Sequence, residues 1–277
     1  MKYTILIFRA LYIAFKEMMK NGGKLNHESQ KKYIRKVYKY GKKHLGWNYE
    51  YFTHNNLTSI IEPVNLMKQP DNILFIGNHA NFMDVFIIPY ILTNQFPEHH
   101  ITFITKDKYK SMPFIGPYLA SHHILVKNKL EEDLALIKYK INLIKKKHKK
   151  TLLVLFPEGT FMEPYCKEKS DKWCDKLGIE WYKNVLAPRT NGIYTVLKTY
   201  QPNAIIQGLV AYDNNPLLLK GVYYHDFLTS NFPKKARFYL NLVETDFKSV
   251  MKNKELFDKQ FYKYWHKNVD KLLDKII

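Results

Sequence analysis

The sequence predicts an α/β fold in which a largely parallel central sheet is flanked by helices. Two observations carry this prediction. Short apolar runs, bounded by polar or proline-containing stretches, indicate buried strands. Segments with apolar residues at helical spacing fill several of the intervals between those runs. Because strands that alternate with helices pack as a parallel sheet, we expect the functional site beyond the carboxyl ends of the strands.

Six apolar runs are predicted to form the strands. They lie at residues 73–76, 101–105, 123–126, 151–156, 205–211 and 237–243. Three further segments are predicted to be helices. Residues 27–45 form a basic amphipathic pattern, and residues 130–147 carry one apolar stripe between an acidic start and a basic end that suit the helix dipole. Residues 82–93 form the third helix, in which Pro89 predicts a kink.

The N-terminal region is predicted to be a helical, basic segment at a membrane interface. The first 19 residues are apolar but are interrupted by Arg9 and Lys16, and a spanning helix needs about 20 apolar residues. They lack the small-residue cleavage site of a secretory signal. A helix in the membrane interface and a helix packed on the domain's own core both fit this pattern. We therefore expect a membrane-associating segment at residues 1–50 and an α/β domain at residues 51–277.

The charge of the chain predicts a polyanionic partner. The net charge is +19, and nucleic acid, an anionic membrane surface and a phosphorylated substrate all carry the complementary charge. The two cysteines, Cys166 and Cys174, form neither a CxxC pair nor a disulfide framework. This spacing favours a reducing compartment, and we expect both residues to be structural thiols.

The stretch GNHANFMDVF, residues 77–86, predicts a general base. In one continuous helix, His79 and Asp84 would point about 140° apart. They meet only if His79 lies in a loop after a strand and Asp84 lies in the first turn of the next helix. Gly77, Asn78 and Asn81 supply the backbone freedom and capping that such a loop needs. An aspartate behind a histidine fixes its tautomer, so the other ring nitrogen is left as a general base.

A second signal lies in TLLVLFPEGT, residues 151–160. An apolar strand runs directly into Pro157, Glu158, Gly159 and Thr160, a tight turn whose backbone amides are suited to face an anion. An ordinary β-turn is the alternative interpretation of this tetrapeptide.

Together, these stretches resemble the motif blocks of the glycerophospholipid acyltransferases typified by 1-acylglycerol-3-phosphate acyltransferase. NHANFMD is similar to the NHxxxxD block, and FPEGT is similar to the block of that name. KYKSMPFIGPYLASHHILVK resembles the second block, whose glycine, apolar pair and arginine correspond to Ser121, Ile124-Leu125 and Lys127. VLAPRTNG, AIIQGLVAY and YKYWHKNVDKLL resemble the branch of lysophosphatidic acid and lysocardiolipin acyltransferases. The resemblance runs from about residue 70 to the C-terminus.

The resemblance implies an acyl-CoA-dependent enzyme of phospholipid biosynthesis that converts 1-acylglycerol 3-phosphate to phosphatidic acid. His79 would deprotonate the glycerol hydroxyl, and Asp84 would orient His79. Acyl-CoA would be a co-substrate, and neither a cofactor nor a metal ion is expected. The enzyme would associate with an anionic membrane surface on its cytosolic face, and no nucleic-acid partner is expected.

The resemblance also implies a site for the substrate phosphate. Lys106, Lys127 and Arg189 would hold it, together with the turn at Gly159 and Thr160. Glu158 would hold its own loop or a substrate hydroxyl, because a carboxylate repels phosphate.

Two departures from the family pattern weaken this phosphate site. Phe161 stands where the family often has arginine, and Lys127 stands where arginine is usual, so that the bidentate fork is lost at both positions. A lysophospholipid acyltransferase for a larger headgroup, of the lysocardiolipin type, is therefore the alternative enzyme. A basic lipid- or nucleic-acid-binding protein is the alternative outside enzymes, although it leaves the two ordered motif blocks unexplained.

Overall fold

The computed structural model describes Tyr12, Lys16 and residues 27–46, 48–51, 70–81, 84–111, 119, 123–212 and 235–276. The predicted interfacial helix at residues 1–19 therefore lies almost entirely outside the described residues, and Ser121 of the second motif block lies outside them as well.

One sheet of seven strands organises the part of the chain that the structure describes. The strands are β1 (Asn48–Tyr51), β2 (Asn72–Gly77), β3 (His100–Lys106), β4 (Ile124–Val126), β5 (Thr151–Leu155), β6 (Ala204–Tyr212) and β7 (Lys235–Leu242). Their order is β1-β7-β6-β2-β5-β3-β4, and every neighbouring pair is parallel except β6 with β7. The largely parallel sheet and all six predicted strands are confirmed. Strand β1 was not predicted, because four residues with alternating polar side chains carry little signal.

Helices cover both faces of this sheet. They are α1 (His27–Leu45), α2 (Asp84–Gln95), α3 (Leu130–Lys147), α4 (Pro164–Leu177), α5 (Thr190–Tyr200), α6 (Lys254–Trp265) and α7 (Lys271–Ile276). The three predicted helices correspond to α1, α2 and α3. Pro89 lies inside α2, and its predicted kink stays a prediction. Helices α4 to α7 were missed; α4, for example, is highly charged and buries only Ser170 and Cys174.

The core lies on both faces of the sheet because side chains of a strand alternate between them. In β2, Leu74 and Ile76 join a cluster with α3, α5, α6 and α7. Ile73 and Phe75 join a second cluster with α2 on the opposite face. All four side chains are buried, so β2 is held at the centre of the domain by apolar contacts on either side.

Helix α1 packs on the domain through its apolar stripe. Tyr33, Ile34, Val37 and Tyr38 are buried, and the ring of Tyr38 stacks on Tyr90 of α2 at 3.8 Å. Six of its cationic residues are exposed, namely Lys32, Arg35, Lys36, Lys39, Lys42 and Lys43, whereas Lys31 is buried. Strand β1 spans the predicted boundary between residues 50 and 51, and it pairs with β7 of the α/β domain. The division into segments 1–50 and 51–277 stays a prediction.

Two properties of the described helices bear on the sequence predictions. Every one of them is too short or too polar to cross a bilayer. Helix α4 carries both cysteines as free thiols, and Cys174 is buried.

Candidate active site

The two motif blocks meet because their strands are parallel neighbours. Strands β2 and β5 pair in register up to Ile76 and Leu155, so the loops that follow them leave the same edge of the sheet. His79 lies in the loop after β2, and Glu158 lies in the turn after β5. Strand β6 flanks β2 on the other side and ends at the same edge. Both motif loops therefore lie at the carboxyl ends of the strands, where the sequence predicts the site.

His79 and Asp84 form the hydrogen-bonded pair that the sequence predicts. His79 Nδ1 lies 2.8 Å from Asp84 Oδ2, and Asp84 is the first residue of α2. The Asp84 side chain is fully buried, whereas 14% of the His79 side chain is exposed. Because a carboxylate accepts the hydrogen of Nδ1, the other ring nitrogen, Nε2, is left free to accept a proton.

The residues around this pair act differently from the sequence prediction. Gly77 stays in the extended backbone of β2, and its need for glycine is steric: a Cβ there would lie 2.7 Å from the carbonyl oxygen of Gly208. Asn78 bonds β6 through its side chain, with Oδ1 accepting from the Val210 N–H at 2.8 Å and Nδ2 donating to the Val210 carbonyl at 2.9 Å. The Asn81 N–H donates to Asp84 Oδ2 at 2.9 Å. These contacts hold the His79 loop against the sheet.

Glu158 connects its own turn to the His79 loop and to the backbone at Leu186. Its Oε1 accepts from the His79 N–H at 2.9 Å, and its Oε2 accepts from the Leu186 N–H at 3.1 Å. Burial raises the pKa of this carboxyl well above its usual range, against the opposing effect of the two hydrogen bonds. Of the two roles foreseen for Glu158, these contacts support holding its loop.

Two aromatic rings enclose the imidazole of His79. Phe156 stacks on it with ring centroids 4.5 Å apart, and Phe161 meets it edge-on at 5.5 Å. The carbonyl of His79 also accepts from the Met162 N–H at 3.0 Å. Phe161, which stands where the family often has arginine, therefore contacts the histidine itself.

A large cavity opens beside His79. Its volume is about 760 Å³, and its lining includes His79, Glu158, Gly159 and Thr160. Apolar side chains dominate the rest of the wall; examples from four elements are Tyr33, Ile34 and Val37 of α1, Pro89 of α2, Phe103 of β3 and Leu134 and Ile137 of α3. A mostly apolar cavity with a few polar groups at one place suits an amphipathic ligand.

Three cationic side chains line this cavity among the described residues: Lys106, Lys169 and Arg189. Lys106 ends β3, and burial lowers its pKa, with the nearby charges of Lys108 and Arg189 acting in the same direction. The structure therefore brings together two of the three predicted cations and adds Lys169 from α4. Lys127 is exposed and is not part of the lining; its backbone N–H donates to Asp133 Oδ1 at 2.8 Å at the start of α3.

The turn at Gly159 is shaped by its own hydrogen bond. The Gly159 N–H donates to the Phe156 carbonyl at 3.0 Å, so this amide is already used within the turn. Gly159 has a φ of +70°, and a Cβ there would approach Arg189 Cδ to 3.2 Å. The Arg189 N–H also donates to the Pro157 carbonyl at 2.7 Å. Glycine thus lets the arginine side chain pack directly on the turn.

The sequence did not predict Tyr212, Lys169 or the two hydrogen bonds between the Asn78 side chain and the backbone of β6. The hydroxyl of Tyr212 donates to Asp84 Oδ1 from the end of β6. A polar residue closing a buried apolar strand was the available signal for Tyr212. Within the described residues, no group of three or more His, Cys, Asp or Glu side chains is arranged to hold a metal ion.

Comparison with known proteins yields one family and several relatives. The family described as Acyltransferase matches residues 60–202, more than half of the chain. The chain is 27% identical to mouse 1-acyl-sn-glycerol-3-phosphate acyltransferase epsilon over 54% of its own length and 43% of that protein's. It is 28% identical to chicken lysocardiolipin acyltransferase 1 over 60% of its length and 44% of the relative's. A Saccharomyces cerevisiae 2-acyl-1-lysophosphatidylinositol acyltransferase is 27% identical over 44% and 32% of the two lengths. The chain spans less than half the length of each of these relatives.

Proposed function

Because this chain belongs to the glycerophospholipid acyltransferase family, we propose that it transfers an acyl group from acyl-CoA to 1-acylglycerol 3-phosphate, with phosphatidic acid as the product. The observation that carries the proposal is the pairing of His79 with the buried Asp84 at the wall of a large, mostly apolar cavity. A general base beside an apolar cavity suits the acylation of a lipid hydroxyl.

The proposed reaction starts at His79 Nε2. This nitrogen takes the proton of the acceptor hydroxyl while Nδ1–H stays bonded to Asp84. The resulting alkoxide attacks the carbonyl carbon of the thioester, and a carbon–oxygen bond forms. The carbon–sulfur bond then breaks, and the imidazolium of His79 returns the proton to the sulfur of CoA. The carboxylate of Asp84 stabilises the imidazolium between these two steps.

The phosphate of the acceptor is proposed to lie near Lys106 and Arg189, with Lys169 as a third cation and Gly159 and Thr160 beside it. Burial, followed by the charges of Lys108 and Arg189, lowers the pKa of Lys106. A phosphate dianion there would favour the charged form of Lys106 and would offset its repulsion from Arg189. Lys127 lies outside this group, so the role that the family resemblance implies for it has no support from its position.

Replacement of Arg189 tests the phosphate site. Arg189→Ala is expected to raise the KM for the acceptor more than it lowers kcat, since the guanidinium binds the phosphate in ground and transition state alike. A charged hydrogen bond contributes about 1.5–3 kcal/mol, and the exposure of Arg189 favours the lower value, which corresponds to roughly a tenfold change in KM. Steady-state kinetics with varied acceptor measure it. Lys198→Ala, at the other end of α5 and also exposed, is the matched control. An unchanged KM in Arg189→Ala would remove Arg189 from the site.

The second candidate is an acyltransferase for a larger headgroup, of the lysocardiolipin or lysophosphatidylinositol type. Phe161 supplies no cationic fork, and the remaining fork, Arg189, is exposed at the cavity wall. A panel of lysophospholipids with labelled acyl-CoA and membranes separates the candidates when products are identified by mass. We expect use of lysophosphatidic acid together with activity on at least one larger anionic acceptor. Tight binding of lipid or nucleic acid without any acylated product would instead favour the non-enzymatic alternative.

Membrane association is proposed to involve the N-terminal region and the cationic face of α1, on the cytosolic face of the membrane. The net charge of +19 and the exposed lysines of α1 support attraction to anionic lipids. Because the apolar stripe of α1 is buried in the domain, this helix offers charge alone.

Salt dependence of vesicle binding tests this proposal. Binding to vesicles that contain anionic lipid is expected to weaken as salt is raised, and deletion of residues 1–20 is expected to weaken it further without unfolding the α/β domain. Co-sedimentation measures the bound fraction, and neutral vesicles are the control. Binding that resists both the deletion and high salt would place the anchor elsewhere.

A further inference from the structure

Tyr212 occupies an unusual position at the carboxyl end of β6. The residue is buried, with 4% of its surface exposed, and its hydroxyl donates to Oδ1 of Asp84. Asp84 Oδ2 is engaged separately by His79 Nδ1 and the Asn81 N–H. The two oxygens of this carboxylate are therefore held from two sides, by the His79 loop and by the neighbouring strand β6.

We propose that Tyr212 is a positioning residue that keeps the Asp84 carboxylate aimed at His79. The inference rests on the proposed function of His79 as general base. Without the tyrosine hydroxyl, Oδ1 of a fully buried carboxylate would lose a donor, and rotation about the Cβ–Cγ bond would no longer be opposed on that side. The geometry of the His79–Asp84 hydrogen bond would loosen as a consequence.

Strand β6 is well suited to this task because it is fixed to the His79 loop at a second point. The side chain of Asn78 makes two hydrogen bonds with the backbone of Val210, two residues before Tyr212. Gly77 and Gly208 pair in register just before these contacts. The end of β6 thereby determines the position of the loop and of the carboxylate together.

The hydroxyl of Tyr212 can act only as a donor to Asp84. Burial, followed by the negative charge of Asp84, raises the pKa of Tyr212 well above its ordinary value. It therefore stays protonated over the range in which a histidine base works. Glu158 is a further buried acid whose charge interacts with Asp84, and it bonds the backbone of His79 rather than the carboxylate.

Tyr212→Phe tests the proposal, because it removes one oxygen and keeps the ring. We expect kcat to fall roughly 10- to 100-fold, as misplacement of a catalytic group does, while the KM values for acyl-CoA and for lysophosphatidic acid stay within twofold. Tyr239→Phe is the matched control: Tyr239 is a buried tyrosine of the adjacent strand β7, and this variant is expected to keep wild-type kcat. A Tyr212→Phe enzyme with wild-type kcat would overturn the inference.

A double-mutant cycle separates positioning from a general loss of structure. If Tyr212 acts through Asp84, introducing Tyr212→Phe into the Asp84→Asn variant should lower kcat by less than about threefold. This decrease would be far smaller than the decrease in the wild-type background. Equal costs in the two backgrounds would assign Tyr212 a structural role only. Failure of the proposed function gives a different pattern, since the wild-type protein would then form no acylated product, and failure of the general-base role of His79 would leave His79→Ala active. Loss of activity in His79→Ala with full activity in Tyr212→Phe would overturn only the role of Tyr212.

Discussion

His79→Ala is expected to abolish acyl transfer, with a loss of 10²–10⁴-fold or more in kcat, which is the usual contribution of a general base. The acceptor hydroxyl would then have to lose its proton to water inside a largely apolar cavity. Among the described residues that line the cavity, Glu158 is an acid–base group in contact with the His79 backbone, and both of its oxygens are used by backbone N–H groups. The measurement is product formation from labelled acyl-CoA, together with thermal unfolding to establish that the variant is folded.

The matched control for this variant is His148→Ala. His148 is half-buried and stacks on His100 at 3.8 Å at the amino ends of β3 and β5, the opposite edge of the sheet. Its replacement is expected to leave kcat unchanged. Near-normal turnover by His79→Ala would contradict the proposed mechanism, irrespective of the kcat of His148→Ala.

Asp84→Asn is expected to lower kcat by roughly 10²–10⁴-fold and to leave the protein folded. An asparagine is close to aspartate in shape. Its carboxamide oxygen can still accept from the Asn81 N–H, and its NH₂ group then faces Tyr212. The hydroxyl of Tyr212 can rotate so that it accepts a hydrogen bond from this NH₂ group. The negative charge that stabilises the imidazolium of His79 is lost, however. The free energy of unfolding should therefore change much less than the activity.

Asp270→Asn supplies the contrast for this second prediction. Asp270 is buried, and its oxygens accept from the Lys183 and Asn184 N–H groups at 3.1 and 2.6 Å rather than from His79. Its replacement should lower the melting temperature while kcat keeps its wild-type magnitude. Equal effects of Asp84→Asn on melting temperature and on kcat would mean that Asp84 serves the fold rather than the chemistry.

The local geometry around His79 was predictable because the information for it lies in a few consecutive residues. The apolar run before Gly77 indicates a strand, and the five-residue spacing of His79 and Asp84 requires a loop followed by a helix start. Both conclusions depend on a few consecutive residues and on the geometry of strands and helices. For the same reason the FPEGT turn was placed correctly after β5.

The phosphate site shows where local reasoning ended. The sequence assigned equal weight to Lys106 and Lys127, since both lie near strand ends. Their difference arises from the tertiary structure: Lys106 closes β3 inside the cavity wall, whereas the turn between β4 and α3, bonded to Asp133, leaves Lys127 exposed. Lys169 was not foreseen, because α4 carries several lysines and only packing decides which of them faces the cavity.

By itself, the sequence determined the α/β class, six of the seven described strands and the His79–Asp84 pair, because hydrophobic periodicity and loop geometry act over short stretches of chain. Only the tertiary structure decided that β6 lies beside β2, so that Tyr212, 128 positions after Asp84, reaches its carboxylate. It also decided that the apolar stripe of α1 is buried against α2. Strand order and helix packing depend on the apolar surface that segments far apart in the sequence bury against one another. No single segment contains this information.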